Sequence, residues 1–150
     1  MLLEGIKVVE MGQAIAGPFV GTVFADLGAQ VIKVEPPAGD SARTWGPLDT
    51  NGDTGIFHYM NRNKTSVTLD VRQPEDRALF DELIDEADVF VHNLRPGVAG
   101  KLCIDAETLR KQNPRLIHGD IAAFGHVGPL KDRSGYELAL QAYGGILSIT

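Results

Sequence analysis

The chain has 150 residues, 43% of them hydrophobic and 23% charged, enough for one domain with its own core. Its net charge of -6, with no basic run, excludes nucleic acid and membrane surfaces as default partners, because both demand clustered Lys and Arg. The single Cys103 excludes an internal disulfide, and no early stretch has the basic start and apolar run of a signal peptide, so a reduced, cytoplasmic protein is expected.

In chain order, Ile6, Val8 and Val9 read as a buried strand, and a helical pattern follows from Pro18 to Leu27, with Phe19, Val20, Val23, Phe24 and Leu27 on one face. Pro18 suits the first helical turn, and Gly28 suits its left-handed end. A second strand covers Val31 to Glu35. Pro36, Pro37 and Gly39 then open a long loop reaching Tyr59 and carrying Trp45. The third strand is Ser66 to Val71, and Pro74 opens a helix in which Leu79, Phe80, Leu83, Ile84 and Ala87 recur at helical spacing. Val89 to His92 is the fourth strand. Helical pieces at 98–102 and 106–112, the second capped by Asp105, lead to a fifth strand from Leu116 to Ala122. Glu137 to Ile149 reads as a last helix, uncapped at Thr150. Strands alternating with helices predict a doubly wound α/β domain, a mostly parallel Rossmann-like sheet with helices on both faces.

Such sheets bind ligands at the carboxyl ends of their strands, so the turns after Glu10, Glu35, Val71, Asn93 and Ala123 are the candidates. Gly12 and Gly17 have the spacing of a phosphate-binding P-loop, but Pro18 and Phe19 stand where its Lys and Ser/Thr belong, and that reading fails. Glu35 occupies the place of a ribose-binding acid, without the G-x-G-x-x-G spacing of a nicotinamide site. Arg72, just before Pro74, is either an anion holder or a solvated arginine beside Glu75 and Asp76. Lys64, with Asn61, Arg62 and Asn63, reads as part of a tight polar turn at the other end of the strand. His118 and Asp120 share a strand face but lack the further ligands of a metal site. His126 reads as a loop histidine, and Cys103 as a small core residue.

The stretches "LEGIKVVEM", "AGPFVGTVFADLGAQVIKVEPP", "NRNKTSVTLDVRQPED", "ADVFVHNLRPGV", "NPRLIHGDIAAFGHVGP" and "SGYELALQAYGGI" arrive in the order seen in family III CoA-transferases, and the chain resembles their amino-terminal part. The resemblance implies an enzyme that moves CoA from an acyl-CoA donor to a carboxylic acid, with CoA as substrate and no permanent cofactor or metal. It implies contacts with CoA from Ile15 and Ala16 near the thiol-bearing arm and from Leu69 and Arg72 at the nucleotide end. Asn93, Leu94 and Arg95 match a clamp at the fourth strand, Lys101 matches a phosphate-pairing position that is commonly Arg, and Arg133 to Tyr136 match a segment that closes over the ligand. Some relatives have Gln at the position of Ile15 and Arg at that of Pro36.

The family's nucleophile is an aspartate that passes through a mixed anhydride and an aspartyl-CoA thioester; no aspartate here matches it, and it is expected beyond Thr150. Glu137 matches a supporting glutamate near the active site, or is an exposed carboxylate in a first helical turn. The racemase branch of the same fold needs a His and an Asp where this chain has Tyr136 and Glu137, which favours the transferase. The resemblance implies an interlocked homodimer for a full-length member, so residues 1–150 are expected to be the amino-terminal part of the large CoA-binding domain, or a non-catalytic CoA-binding piece. Apolar surface left uncovered there predicts association or poor solubility.

Overall fold

Strands rich in Val and Ile, separated by helical stretches rather than tight turns, can pair side by side only through crossovers, and that is the arrangement found. A computed structural model describing residues 1–150 has β1 (Lys7–Met11), α1 (Ala16–Asp26), β2 (Gln30–Glu35), α2 (Gly55–Asn61), β3 (Lys64–Thr68), α3 (Pro74–Glu86), β4 (Val89–His92), α4 (Val98–Lys101), α5 (Ala106–Gln112), β5 (Ile117–Asp120) and α6 (Glu137–Tyr143). Short 3-10 turns occupy Ser41–Thr44 and Ile146–Ser148. The sheet order is β3-β2-β1-β4-β5 and every pairing is parallel. Strand order reverses between β1 and β4, where a doubly wound sheet opens its ligand crevice.

Each face of the sheet has its own core. On one, Val9, Val34 and Phe90 pack with Phe80 and Ile84 of α3, Leu109 of α5, and Leu69, Ile104 and Leu116. On the other, Val8, Val31, Val89 and Val91 meet Ala25 and Ala29. The local signals act as expected: Pro74 starts α3, Asp105 accepts a hydrogen bond from the Thr108 amide, and Gly28 closes α1 at φ 101°. No helix is long and apolar enough to cross a membrane.

Several sequence expectations need correction. The buried face of α1 is Gly17, Pro18, Gly21, Thr22 and Ala25. Phe19 and Val23 are 48% and 43% exposed, and with Ile15 and Leu27 they form an apolar stripe at four-residue spacing. Small residues face inward because the helix lies directly over buried charged side chains at β1 and β3. The long loop after Glu35 contains the 3-10 turn and α2, whose N-terminus is capped by the Thr54 hydroxyl accepting from the Phe57 amide. β3 begins earlier, at Lys64, and ends at Thr68, while β5 spans only four residues. The last helix stops at Tyr143, and Gly145, at φ 77°, turns the chain into the 3-10 turn. Cys103 is exposed: it takes φ 53° where the chain leaves α4, and its carbonyl accepts from the Arg77 guanidinium at 3.1 Å.

Candidate functional site

Glu10 and Lys33 are register partners on β1 and β2, and both are fully buried. A charge inside an apolar sheet must be paired and hydrogen-bonded to be tolerated. Glu10 Oε1 lies 3.2 Å from Lys33 Nζ and accepts from the Gly12 amide at 3.0 Å, and its Oε2 accepts from Lys64 Nζ at 2.8 Å. Lys33 Nζ also donates to the Gly12 carbonyl at 2.9 Å and lies 2.9 Å from Asp40 Oδ2. Asp40 Oδ1 in turn accepts from the amides of Ala14 and Ala42. Lys64 Nζ further donates to the carbonyls of Pro18 and Met60 and to Asn61 Oδ1.

Lys64 is therefore no turn residue at the surface: its side chain is 1% exposed. Burial draws its ammonium pKa below the ordinary lysine value, against the attraction of Glu10. Two charged residues inside apolar strands, "VVEM" and "VIKVE", are the signal that points to this quartet.

The quartet surrounds the turn that joins β1 to α1. From the β4 side, Asn93 completes the grip: its Oδ1 accepts from the Gln13 amide and its Nδ2 donates to the Gln13 carbonyl, each at 2.9 Å. This reciprocal pair bridges the crevice where strand order reverses. The approach is so close that a Cβ at Gly17 would sit 2.8 Å from Gly12 Cα and 2.9 Å from Asn93 Oδ1. The amides of Ile15, Ala16 and Gly17 donate to no group of the protein, and they lie at the positive end of the 11-residue α1.

Of the residues picked from sequence, Ile15 and Ala16 lie exposed at this turn, and Asn93 sits beside it. Leu94 donates its amide to His92 Nδ1 at 3.3 Å. Arg95 donates to the Tyr136 hydroxyl and stands over its ring, 5.8 Å from the centroid. Leu94 also lines a cavity of about 240 Å³ at the ends of β4 and β5, with Pro96, Gly97, Asp120, His126 and Lys131.

Lys101 and Arg133 are exposed, and Glu137 accepts from Gln141 in the first turn of α6. Leu69 is a core side chain, 5% exposed, and its amide donates to the Glu35 carbonyl at 2.9 Å, leaving its carbonyl alone for any ligand. Arg72 lies beyond the end of β3, 71% exposed and paired in parallel fork fashion with Asp70 at 2.7 and 2.8 Å. Its partner is thus neither Glu75 nor Asp76. The Arg72 guanidinium holds the Asp70 carboxyl at about 2.

Glu35 is committed internally. Burial disfavours its charge, but the Arg43 guanidinium, the Ser66 hydroxyl and the Asp40 amide outweigh that and hold its pKa at about 2. A carboxylate so occupied offers nothing to a ribose, which removes the residue that favoured a nicotinamide site. His92 is buried, with its pKa lowered chiefly by burial and by the charges of His118 and His126, against the pull of Asp120 at 3.6 Å. No group of three His, Cys, Asp or Glu side chains converges as a metal site would require.

The model of CoA-transferase family III matches residues 3–150. The chain belongs to this family. It is 42% identical over 149 residues to an acetyl-CoA:oxalate CoA-transferase of Acetobacter aceti, covering 98% of this chain and 38% of that protein. A succinate–glutarate CoA-transferase of Agrobacterium fabrum is 41% identical over 155 residues, covering 99% and 39%. Among solved structures, a CAIB/BAIF family protein from Brucella suis superposes with a TM-score of 0.92 at 47% identity, over 99% of this chain and 40% of the other. The chain thus spans about two-fifths of the length of these relatives.

Proposed function

We propose that this family III CoA-transferase chain supplies most of the CoA-binding half of an enzyme that moves CoA from an acyl-CoA donor to a small carboxylic acid. The observation that carries the reading is the Asn93–Gln13 bridge at the switch point, beside the free amides of Ile15 to Gly17. Asn93 stands next to that turn with its side-chain amide held by Gln13, Leu94 and Arg95 follow it in the clamp, and the Arg95–Tyr136 contact supports Arg133 to Tyr136 as a cover. Lys101 follows on α4 as a phosphate partner.

From β4 to β3 the sheet spans three strand spacings, roughly 14 Å, which an extended ligand crosses to bring its nucleotide end to Leu69 and Arg72. CoA is a substrate in this reading, with no permanently bound cofactor. The enzyme is proposed to act as a cytoplasmic homodimer.

Chemically, an aspartate beyond Thr150 attacks the thioester carbonyl and the CoA thiolate leaves, giving a mixed anhydride. The thiolate then attacks the aspartyl carbonyl, the donor acid departs as its carboxylate, and aspartyl-CoA remains for the acceptor acid to resolve in the reverse sense. Backbone N–H groups stabilise the oxyanions that form at each step. Glu137 is assigned a supporting role, orienting the nucleophile or the incoming acid.

The racemase alternative lacks its histidine, because Tyr136 stands in that position. Calorimetric titration of the folded protein with CoA, and separately with NAD, tests the reading. CoA binding without NAD binding supports it, and NAD binding overturns it.

A further inference from the structure

We propose that Glu10, Lys33, Asp40 and Lys64 are positioning residues that lock the turn between β1 and α1, so that the amides of Ile15, Ala16 and Gly17 stay directed into the crevice. The inference rests on the CoA-binding reading for what those amides meet, but its geometry is independent of the ligand. The four side chains come from β1, β2, the loop after β2 and β3, and together they carry two positive and two negative charges.

Each of the four pairs with another charge and also bonds a backbone group of the turn or its flanks, while Lys64 reaches Met60 and Asn61 of α2 and Asp40 the Ala42 amide as well. Glu10 takes the Gly12 amide, Lys33 the Gly12 carbonyl, Asp40 the Ala14 amide and Lys64 the Pro18 carbonyl. A quartet of apolar side chains would fill the same space without desolvating four charges, but it could not hold these backbone groups.

The backbone itself shows the effect of the grip. Ala14 has φ 63°, a left-handed conformation that a residue with a Cβ keeps only where its surroundings over-determine it. Asp40 Oδ1 holds its amide at 2.8 Å. Ala14 is followed directly by the three free amides, so releasing it reorients the donors the ligand would use.

The test compares Lys64→Met and Asp40→Ala with the unchanged protein and with Ile84→Ala, a core substitution remote from the turn that controls for lost stability. Asp40 lies in a loop and belongs to no strand, so its variant is read even where Lys64→Met does not fold. Hydrogen exchange followed by NMR should show the Gln13 and Ala14 amides opening at least roughly tenfold faster in the quartet variants, with the Val91 amide changing no more than in the control.

In parallel, CoA affinity should fall about tenfold or more while adenosine 3′,5′-bisphosphate, which lacks the pantetheine arm, weakens less than about twofold. Turn amides that exchange at the original rate in both variants overturn the proposal. So does equal weakening of CoA and the bisphosphate, matching the control. If the unchanged protein binds no CoA, the ligand reading fails by itself, and the exchange rates still decide whether the quartet holds the turn.

Discussion

Lys64 Nζ lies 2.8 Å from Glu10 Oε2 although the residues are 54 positions apart and β2 runs between their strands. The long lysine side chain passes beneath α1 to reach β1, and the space it uses is left by a glycine: a Cβ at Gly21 would sit 2.8 Å from Glu10 Oε2 and 3.1 Å from Lys64 Nζ. Helix, strand pairing and buried charge are thus one arrangement.

Removing Lys64 leaves Lys33 alone between two buried carboxylates, Glu10 and Asp40, with one negative charge uncompensated. Lys64→Met is expected to cost about 3–5 kcal/mol of stability, measured by urea denaturation. Adding Glu10→Gln should recover part of that loss, because the Gln side-chain oxygen still accepts from Gly12 while the stranded charge is gone. A double variant whose losses simply add would mean that the two side chains do not interact.

Acid should act through Glu35. Its pKa falls from 4.5 to about 2 on folding, so the folded state binds fewer protons than the unfolded chain between those values. The stabilisation is complete above the unfolded value, amounts to about 3 kcal/mol there, and disappears as pH drops towards 2. Arg43→Met removes the principal partner and should flatten that part of the stability–pH curve. An unchanged curve would assign the acid sensitivity to other carboxylates.

His92 should add a second acid effect. Its Nδ1 accepts from the Leu94 amide, its Nε2 is buried without a partner, and burial lowers its pKa from 6.5. The folded state therefore resists its protonation, so stability is full above 6.5 and falls with pH below that value. Asp120 is the one neighbour that favours the charged ring, whereas His118 and His126 oppose it. Asp120→Asn should move the His92 titration, followed by NMR, to still lower pH; movement upward would show that Asp120 is not its dominant charged neighbour.

What was legible in the sequence was local or periodic. Pro74 at the start of α3, Asp105 as a cap and the apolar strands act through neighbours in the chain, so the crossovers and the parallel sheet followed from them. The face of α1 was misread because periodicity assumes that the large apolar residues turn inward. Here buried charges beneath the helix demand small ones, leaving Phe19 and Val23 outside. Lys64 was misread for a related reason: its polar neighbours describe a turn, and its partner is visible only once β1 and β3 flank the same strand. Asn93 matches the family's clamp at the fourth strand, yet its amide is spent on Gln13, a pairing set by the crevice between β1 and β4.

Arg72 distinguishes a ligand residue from a surface pair. It forms a fork with Asp70 but is 71% exposed, so the pair itself adds little stability and Arg72→Ala should leave the urea unfolding midpoint essentially unchanged. If the guanidinium turns from Asp70 to a phosphate of CoA, the same substitution weakens CoA binding and makes it less sensitive to salt, since one screened charge–charge contact is lost. Titrations at low and high ionic strength measure both effects. Affinity unchanged at low salt, where an exposed charge acts most strongly, would remove Arg72 from the site and leave it as the partner of Asp70 alone.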